Sequence, residues 1–137
     1  MRALALLACL SACSGEAPVA ETQMALHTAG MLAPGDVGSV VLLVLAGDKA
    51  SCKRALEPAS PLDDPELDVV RHALFTVDGA AKHLSLPADR KLIFYVEAYR
   101  SGDGSGNRVG RGCSEATLEA DQSSGVSIVI SGDGSGS

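Results

Sequence analysis

Lys91-Leu92-Ile93-Phe94-Tyr95-Val96-Glu97-Ala98-Tyr99 is the stretch that sets the fold class. Leu92, Phe94, Val96 and Ala98 alternate with Ile93, Tyr95, Glu97 and Tyr99, a period of two over a full strand. Pro87-Ala88-Asp89 turns the chain before it, and the Gly-rich run Ser101–Asn107 follows it. Working outward, Gly38 to Ala46 carries the continuous run Val40-Val41-Leu42-Leu43-Val44-Leu45, which reads as a strand buried on both faces. Asp68 to Val77 and Lys82 to Leu86 read as two strands around an Asp78-Gly79 turn. Arg108 to Cys113 reads as a short strand, and Ala116–Ala120 with Val126–Ser131 as a hairpin across Asp121–Gly125. A long polar connection, residues 47–66, holds Cys52, Pro58, Pro61 and Pro65 and has room for a short helix at Lys53–Leu56. About seven short strands with regular turns and no amphipathic helix between them predict an all-β, antiparallel β-sandwich over residues 37–131.

Composition agrees with one modest aliphatic core. Of 137 residues, 46% are hydrophobic, yet the aromatics are two Phe and two Tyr, with no Trp. The formal charge is −6 at pH 7, with no basic stripe. Nucleic acid is therefore excluded as an expected partner, because phosphate neutralisation needs clustered Lys and Arg.

The first residues are Met1-Arg2 and then Ala3-Leu4-Ala5-Leu6-Leu7-Ala8-Cys9-Leu10. One charge and eight apolar residues are too few to span a bilayer and suit a secretory signal. Leu10-Ser11-Ala12-Cys13 resembles the bacterial lipobox. The resemblance implies a signal peptide over residues 1–12, diacylglyceryl attachment to the Cys13 thiol and cleavage just before it. Residues 13–36 then read as lipidated Cys plus tether, with Met24-Ala25-Leu26 unassigned, and residues 132–137 as a flexible Gly/Ser tail. The implied partner is a membrane, reached through the lipid anchor, with outer-membrane placement favoured by Ser14. Cleavage removes Arg2 alone among the charges, taking −6 to −7.

Cys9 leaves with such a leader and Cys13 becomes a thioether, so Cys52 and Cys113 remain. An even remainder in an oxidising compartment reads as a disulfide. It would close a loop of about 60 residues, worth roughly 4 kcal/mol in the chain-entropy view. Two free thiols or a metal pair are the alternatives, although no close C-x-x-C spacing supports zinc.

Ile93–Tyr99, the Gly-rich turn, Val109-Gly110-Arg111-Gly112-Cys113 and a closing hairpin together are similar to small β-sandwich domains of bacterial surface lipoproteins. These modules are immunoglobulin-like or transthyretin-like (prealbumin-like, carboxypeptidase-regulatory-like). In them a Cys after an early strand pairs with a late Gly-Cys, the places of Cys52 and Cys113. The resemblance implies a binding, spacing or supporting role at the cell envelope, with an envelope or surface partner and no cofactor.

Ser-Gly-Asp-Gly-Ser-Gly occurs at 101–106 and 131–136, and Asp103, Ser105 and Asn107 have the opening rhythm of a calcium loop. Arg108 and Ser114 stand where such a loop needs Gly and Glu, so a plain turn is the simpler reading. Asp63, Asp64 and Glu66 form an acidic cluster that suits a solvated loop, a cation or a partner. Tyr95 and Tyr99 share a strand face, as a glycan-binding surface or as the lid of the core. His27, His72 and His83 are scattered, and no G-x-S-x-G elbow is present. The expected protein is therefore not an enzyme; a calcium- or glycan-dependent adhesion module and an envelope hydrolase are the alternatives.

Overall fold

The computed structural model describes residues 18–30, 32–76 and 82–132. The expected signal segment, Cys13, the expected Asp78-Gly79 turn and most of the second hexapeptide lie outside the described residues. Among the described residues there are seven strands: β1 (Val19–Ala29), β2 (Ser39–Ala46), β3 (Val69–Thr76), β4 (Lys82–Pro87), β5 (Lys91–Tyr99), β6 (Arg108–Thr117) and β7 (Ser123–Gly132). One helix, α1 (Cys52–Leu56), and two 3-10 turns at Pro34–Asp36 and Pro61–Asp63 complete the described elements. The strands form one sheet in the order β3-β2-β5-β6-β7-β1-β4, nearly closed into a barrel-like shape.

Strands β2 and β5 sit inside the sheet, and both of their faces are covered, as the continuous apolar run of β2 predicts. Val40, Leu42 and Val44 of β2 and Leu92, Phe94, Val96 and Ala98 of β5 point inward. Opposite them stand Ala20 and Met24 of β1, Leu84 and Leu86 of β4, and Val126, Ile128 and Ile130 of β7. Leu43, Leu45, Ile93 and Tyr95 point the other way, into a second apolar cluster with Ala50, Ala55 and Leu67. That second cluster is made by residues 47–68, a strap that crosses the outer face of the sheet.

Three expectations need correction. The sheet is mixed, not antiparallel throughout: β1 runs parallel to β7 from Glu21↔Ser123 to Ala29↔Ser131. The expected tether contains an eleven-residue strand from Val19 onward. Ala20, Thr22 and Met24 are its buried positions, and two small or polar residues among three conceal the alternation. The expected breaks around Cys113 are absent, since Arg108–Thr117 is a single strand.

Gly110 and Gly112 explain how that strand survives its glycines. A Cβ on Gly112 would lie 2.4 Å from the Val129 carbonyl oxygen, and one on Gly110 would lie 2.6 Å from that of Ser131. The β7 backbone crosses directly over the inner face of β6, where no side chain fits. The ladder between them is correspondingly short, Gly110↔Gly132 to Gly112↔Ile130. This seam has β3-β2-β5-β6 on one side and β7-β1-β4 on the other within the single, nearly closed sheet that surrounds the inner core.

Candidate functional site

Among the described residues, the charged side chain that is buried, Glu97, lies on the outer face of β5 and faces β6. The pleat puts Tyr95, Glu97 and Tyr99 in one row, and the antiparallel register sets Cys113, Arg111 and Arg108 opposite them. Tyr95 Oη donates to Glu97 Oε2 at 2.8 Å, and Tyr99 Oη donates to Glu97 Oε1 at 3.0 Å. Arg108 Nη1 lies 3.2 Å from Glu97 Oε2, with the Glu97 side chain 11% exposed and that of Arg108 23% exposed. Burial, and then the bond to the Glu97 carboxylate, push the Tyr95 phenol well above its ordinary value of 10, while Arg111 pulls the other way.

The two arginines continue to the strap. Arg108 Nη1 donates to the Ala59 carbonyl, and Arg111 Nη1 donates to the Pro58 carbonyl at 2.8 Å. Cys52 and Cys113 form a disulfide, with Cα atoms 5.6 Å apart. Cys52 N also donates to Glu115 Oε2 at 2.9 Å, and Lys91 Nζ lies 2.9 Å from Glu115 Oε1. Those contacts, the Cys52 amide first, hold the Glu115 carboxyl below its ordinary range. Chemically, this cluster joins a strap to a sheet. Both Glu97 oxygens already accept donors, so the carboxylate is not presented as a free base.

The tyrosine pair therefore has the expected shared face but not an open one. Tyr95 is fully buried and Tyr99 half-buried, because the strap covers them. An exposed stacking platform at Tyr95 is excluded by that cover. Glu97 between two tyrosines at i±2 is the feature of the sequence that marks the cluster. Arg108 and Arg111 carry no such mark, and nothing in their local sequence shows that they reach Pro58 and Ala59.

The acidic cluster is partly neutralised by a residue that its own stretch of sequence does not contain. Arg54 on α1 donates from Nε to Asp64 Oδ2 at 3.0 Å, and from Nη2 to Asp64 Oδ1 at 3.3 Å and to Glu66 Oε2 at 2.7 Å. The Arg54 guanidinium holds the Asp64 carboxyl below its usual range. Asp63 is exposed at the rim of a shallow depression shared with Lys53, Arg54 and Glu57. In the Gly-rich loop, Asp103 Oδ1 accepts from Ser105 Oγ at 2.5 Å and Ser105 N at 3.2 Å. Those hydroxyl and amide donors, Ser105 first, lower the Asp103 carboxyl. Gly104 N donates to Ser39 Oγ at 2.8 Å, and Asn107 is exposed. The loop closes on itself, and no group of three His, Cys, Asp or Glu among the described residues is placed to hold a metal. His27, His72 and His83 are exposed on three different strands. Among the described residues no helix is long and apolar enough to cross a membrane.

No protein-family model matches the chain, and no curated protein shows significant similarity to it.

Proposed function

We propose that this chain is a lipid-anchored envelope lipoprotein whose β domain is a non-catalytic interaction or structural module. The Cys52–Cys113 disulfide is the observation that carries this reading. Disulfides persist in oxidising compartments outside the cytosol, which is where the Met1–Cys13 segment would send the chain. Their pairing also leaves Cys13 unclaimed by either of them for acylation. Each buried methylene of an attached lipid contributes about 0.8 kcal/mol, so two or more acyl chains give stable anchoring.

The absence of a catalytic role is part of the same proposal. Glu97, Asp64 and Asp103 are each engaged in holding their own segment of chain. The finer kinship to immunoglobulin-like or transthyretin-like sandwiches is also proposed here. Its support is the short β6–β7 ladder, with four strands of the sheet on one side of it and three on the other, together with the early-Cys to late-Gly-Cys pairing.

The test is expression of the full chain in a diderm bacterial host with a labelled fatty acid. The wild-type protein should take up label, enter the detergent phase and lack residues 1–12. The Cys13→Ser variant should lose label and move to the aqueous phase. Label retained by that variant, or purified protein still carrying Met1, overturns the reading.

A further inference from the structure

The outer cluster depends on the strap in a way the inner core does not. Leu43, Leu45, Ile93 and Tyr95 are fully buried only because residues 47–68 lie over them. No residue of the strap belongs to the inner cluster, whose buried members lie on the strands and on the connections at Leu32, Val37, Ala88 and Leu118. The strap has little regular structure of its own. Its helix has five residues, far short of what holds a helix together in isolation. Its sole fully buried helical residue is Ala55.

Among the described residues, the strap is fastened to the sheet at its two ends and at two places between them. At its ends, Gly47 N donates to the Lys91 carbonyl and Ala46 N to the Asp68 carbonyl, each at 2.9 Å. In its second half, Arg108 and Arg111 reach the Ala59 and Pro58 carbonyls from half-buried positions. At the first residue of α1, the Cys52–Cys113 bond fixes it covalently to β6, with the Cys52 amide on Glu115 beside it. Both cysteines are half-buried, so neither is sealed from a small reductant. The Arg54–Asp64–Glu66 group binds the strap to itself and not to the sheet.

We infer that the Cys52–Cys113 disulfide is a redox latch: its reduction releases the strap from the outer face as a unit, while the seven strands around the inner core stay folded. The reductant is of the dithiol class. One of its thiolates attacks one protein sulfur, expelling the other cysteine as a thiolate and giving a mixed disulfide; its second thiolate then attacks the reductant's own sulfur in that mixed disulfide and expels the attacked cysteine. Two electrons and two protons pass to Cys52 and Cys113, and the reductant leaves as a cyclic disulfide. The released state uncovers the ladder Leu43, Leu45, Ile93 and Tyr95, flanked by Glu97 and Arg108. This device is independent of where the chain is anchored, so it stands or falls apart from the lipoprotein reading.

The experiment is hydrogen exchange with mass-spectrometric readout on the full chain, oxidised and treated with dithiothreitol, and on the Cys52→Ser/Cys113→Ser variant. Peptides from residues 47–68 should exchange about 100-fold faster or more in the reduced protein and in the variant. Peptides covering Lys91–Tyr99 should keep their protection. A second readout uses Tyr99→Phe, which leaves Tyr95 as the sole tyrosine. In the oxidised protein the phenol should ionise well above 10; with both cysteines replaced, its midpoint should fall toward 10. Unchanged exchange of the strap, loss of protection from strap and strands together, or an unmoved Tyr95 midpoint would each overturn the inference.

Discussion

Replacing Glu97 with Ala should destabilise the domain by about 3 kcal/mol, a figure that follows from the donors its carboxylate now satisfies. Tyr95 is fully buried, and its hydroxyl hydrogen has the Glu97 carboxylate as acceptor at 2.8 Å. Leaving that donor without an acceptor costs about 1–3 kcal/mol. Arg108 is deprived of a charge partner at 3.2 Å, but keeps the Ala59 carbonyl and remains 23% exposed. Its share is therefore about 1 kcal/mol, well below the roughly 3–5 kcal/mol of a sealed pair cut on one side. Tyr99 is half-buried and rehydrates at little cost. The Glu97→Gln variant keeps the shape and one carbonyl acceptor, so about half the effect is expected. Urea unfolding followed by circular dichroism reads these values as a shift in midpoint at constant slope. The decisive comparison is Tyr95→Phe. Alone it should cost about 1 kcal/mol, but in the Glu97→Ala background it should be neutral or stabilising, because it deletes the orphaned donor. A destabilisation below about 0.5 kcal/mol for Glu97→Ala, or the same Tyr95→Phe cost in both backgrounds, would refute the claim that this cluster fastens the strap.

Three further outcomes follow from other parts of the structure. Gly112→Ala should cost about 3 kcal/mol or prevent folding, since its Cβ would meet the Val129 carbonyl oxygen at 2.4 Å and backbone cannot move aside cheaply; Gly125→Ala, with nothing within 4 Å of the added Cβ, is the control. Thr22→Val should raise the melting temperature by about 4 °C, because the buried Thr22 hydroxyl has no hydrogen-bond partner and Val keeps its volume. Asp64, Asp103 and Glu115 are held below their ordinary values of 3.8, 3.8 and 4.5. Carboxyls depressed by folding stabilise above their ordinary values, and that stability is lost as pH falls through the folded ones. The gap in urea midpoint between wild type and Glu115→Gln should therefore be constant above pH 4.5 and shrink below it; a gap that widens in acid would reverse the assignment.

The legible parts of the fold are those where local pattern and tertiary role coincide. The apolar run of β2 and the alternation of β5 can be read directly because each large side chain is buried where its period places it. The strand β1 is hidden because Ala20 and Thr22 occupy buried positions, and its parallel partner β7 lies about a hundred residues further along. The Gly110 and Gly112 positions weaken the reading of β6, yet glycine is what the crossing of β7 demands there. At the candidate site, the strand face of Tyr95 and Tyr99 is legible and their burial is not. A covering strap is a tertiary fact, and no periodicity within β5 encodes it. The acidic triplet looks open in the sequence for the same reason: Arg54 lies ten residues before Asp64 and meets it only after α1 and the following turn fold back.

The position of β1 also changes what an anchor at Cys13 would do. Four residues lie between Cys13 and Pro18, and five steps of a fully extended chain at about 3.5 Å each reach at most about 18 Å. Pro18 lies at one end of the sheet, where its carbonyl accepts from Ala88 N and the neighbouring Val19 carbonyl accepts from Asp121 N. The Ser101–Gly106 loop lies at the other end, beside Ser39 and the close of β5. An eight-residue strand is about 27 Å long. A lipid on Cys13 thus sets the Asp121 end near the headgroups and the Ser105 end well above them, in place of a domain held off on a long stalk. Fluorescent amino acids incorporated at Gln122 and at Ser105 test this in vesicles carrying headgroup nitroxides. Quenching should be strong at Gln122 and weak at Ser105. Equal quenching, or the reverse order, would mean that the chain does not meet the membrane through its N-terminal end, and the short reach from Cys13 leaves no other geometry to rescue it.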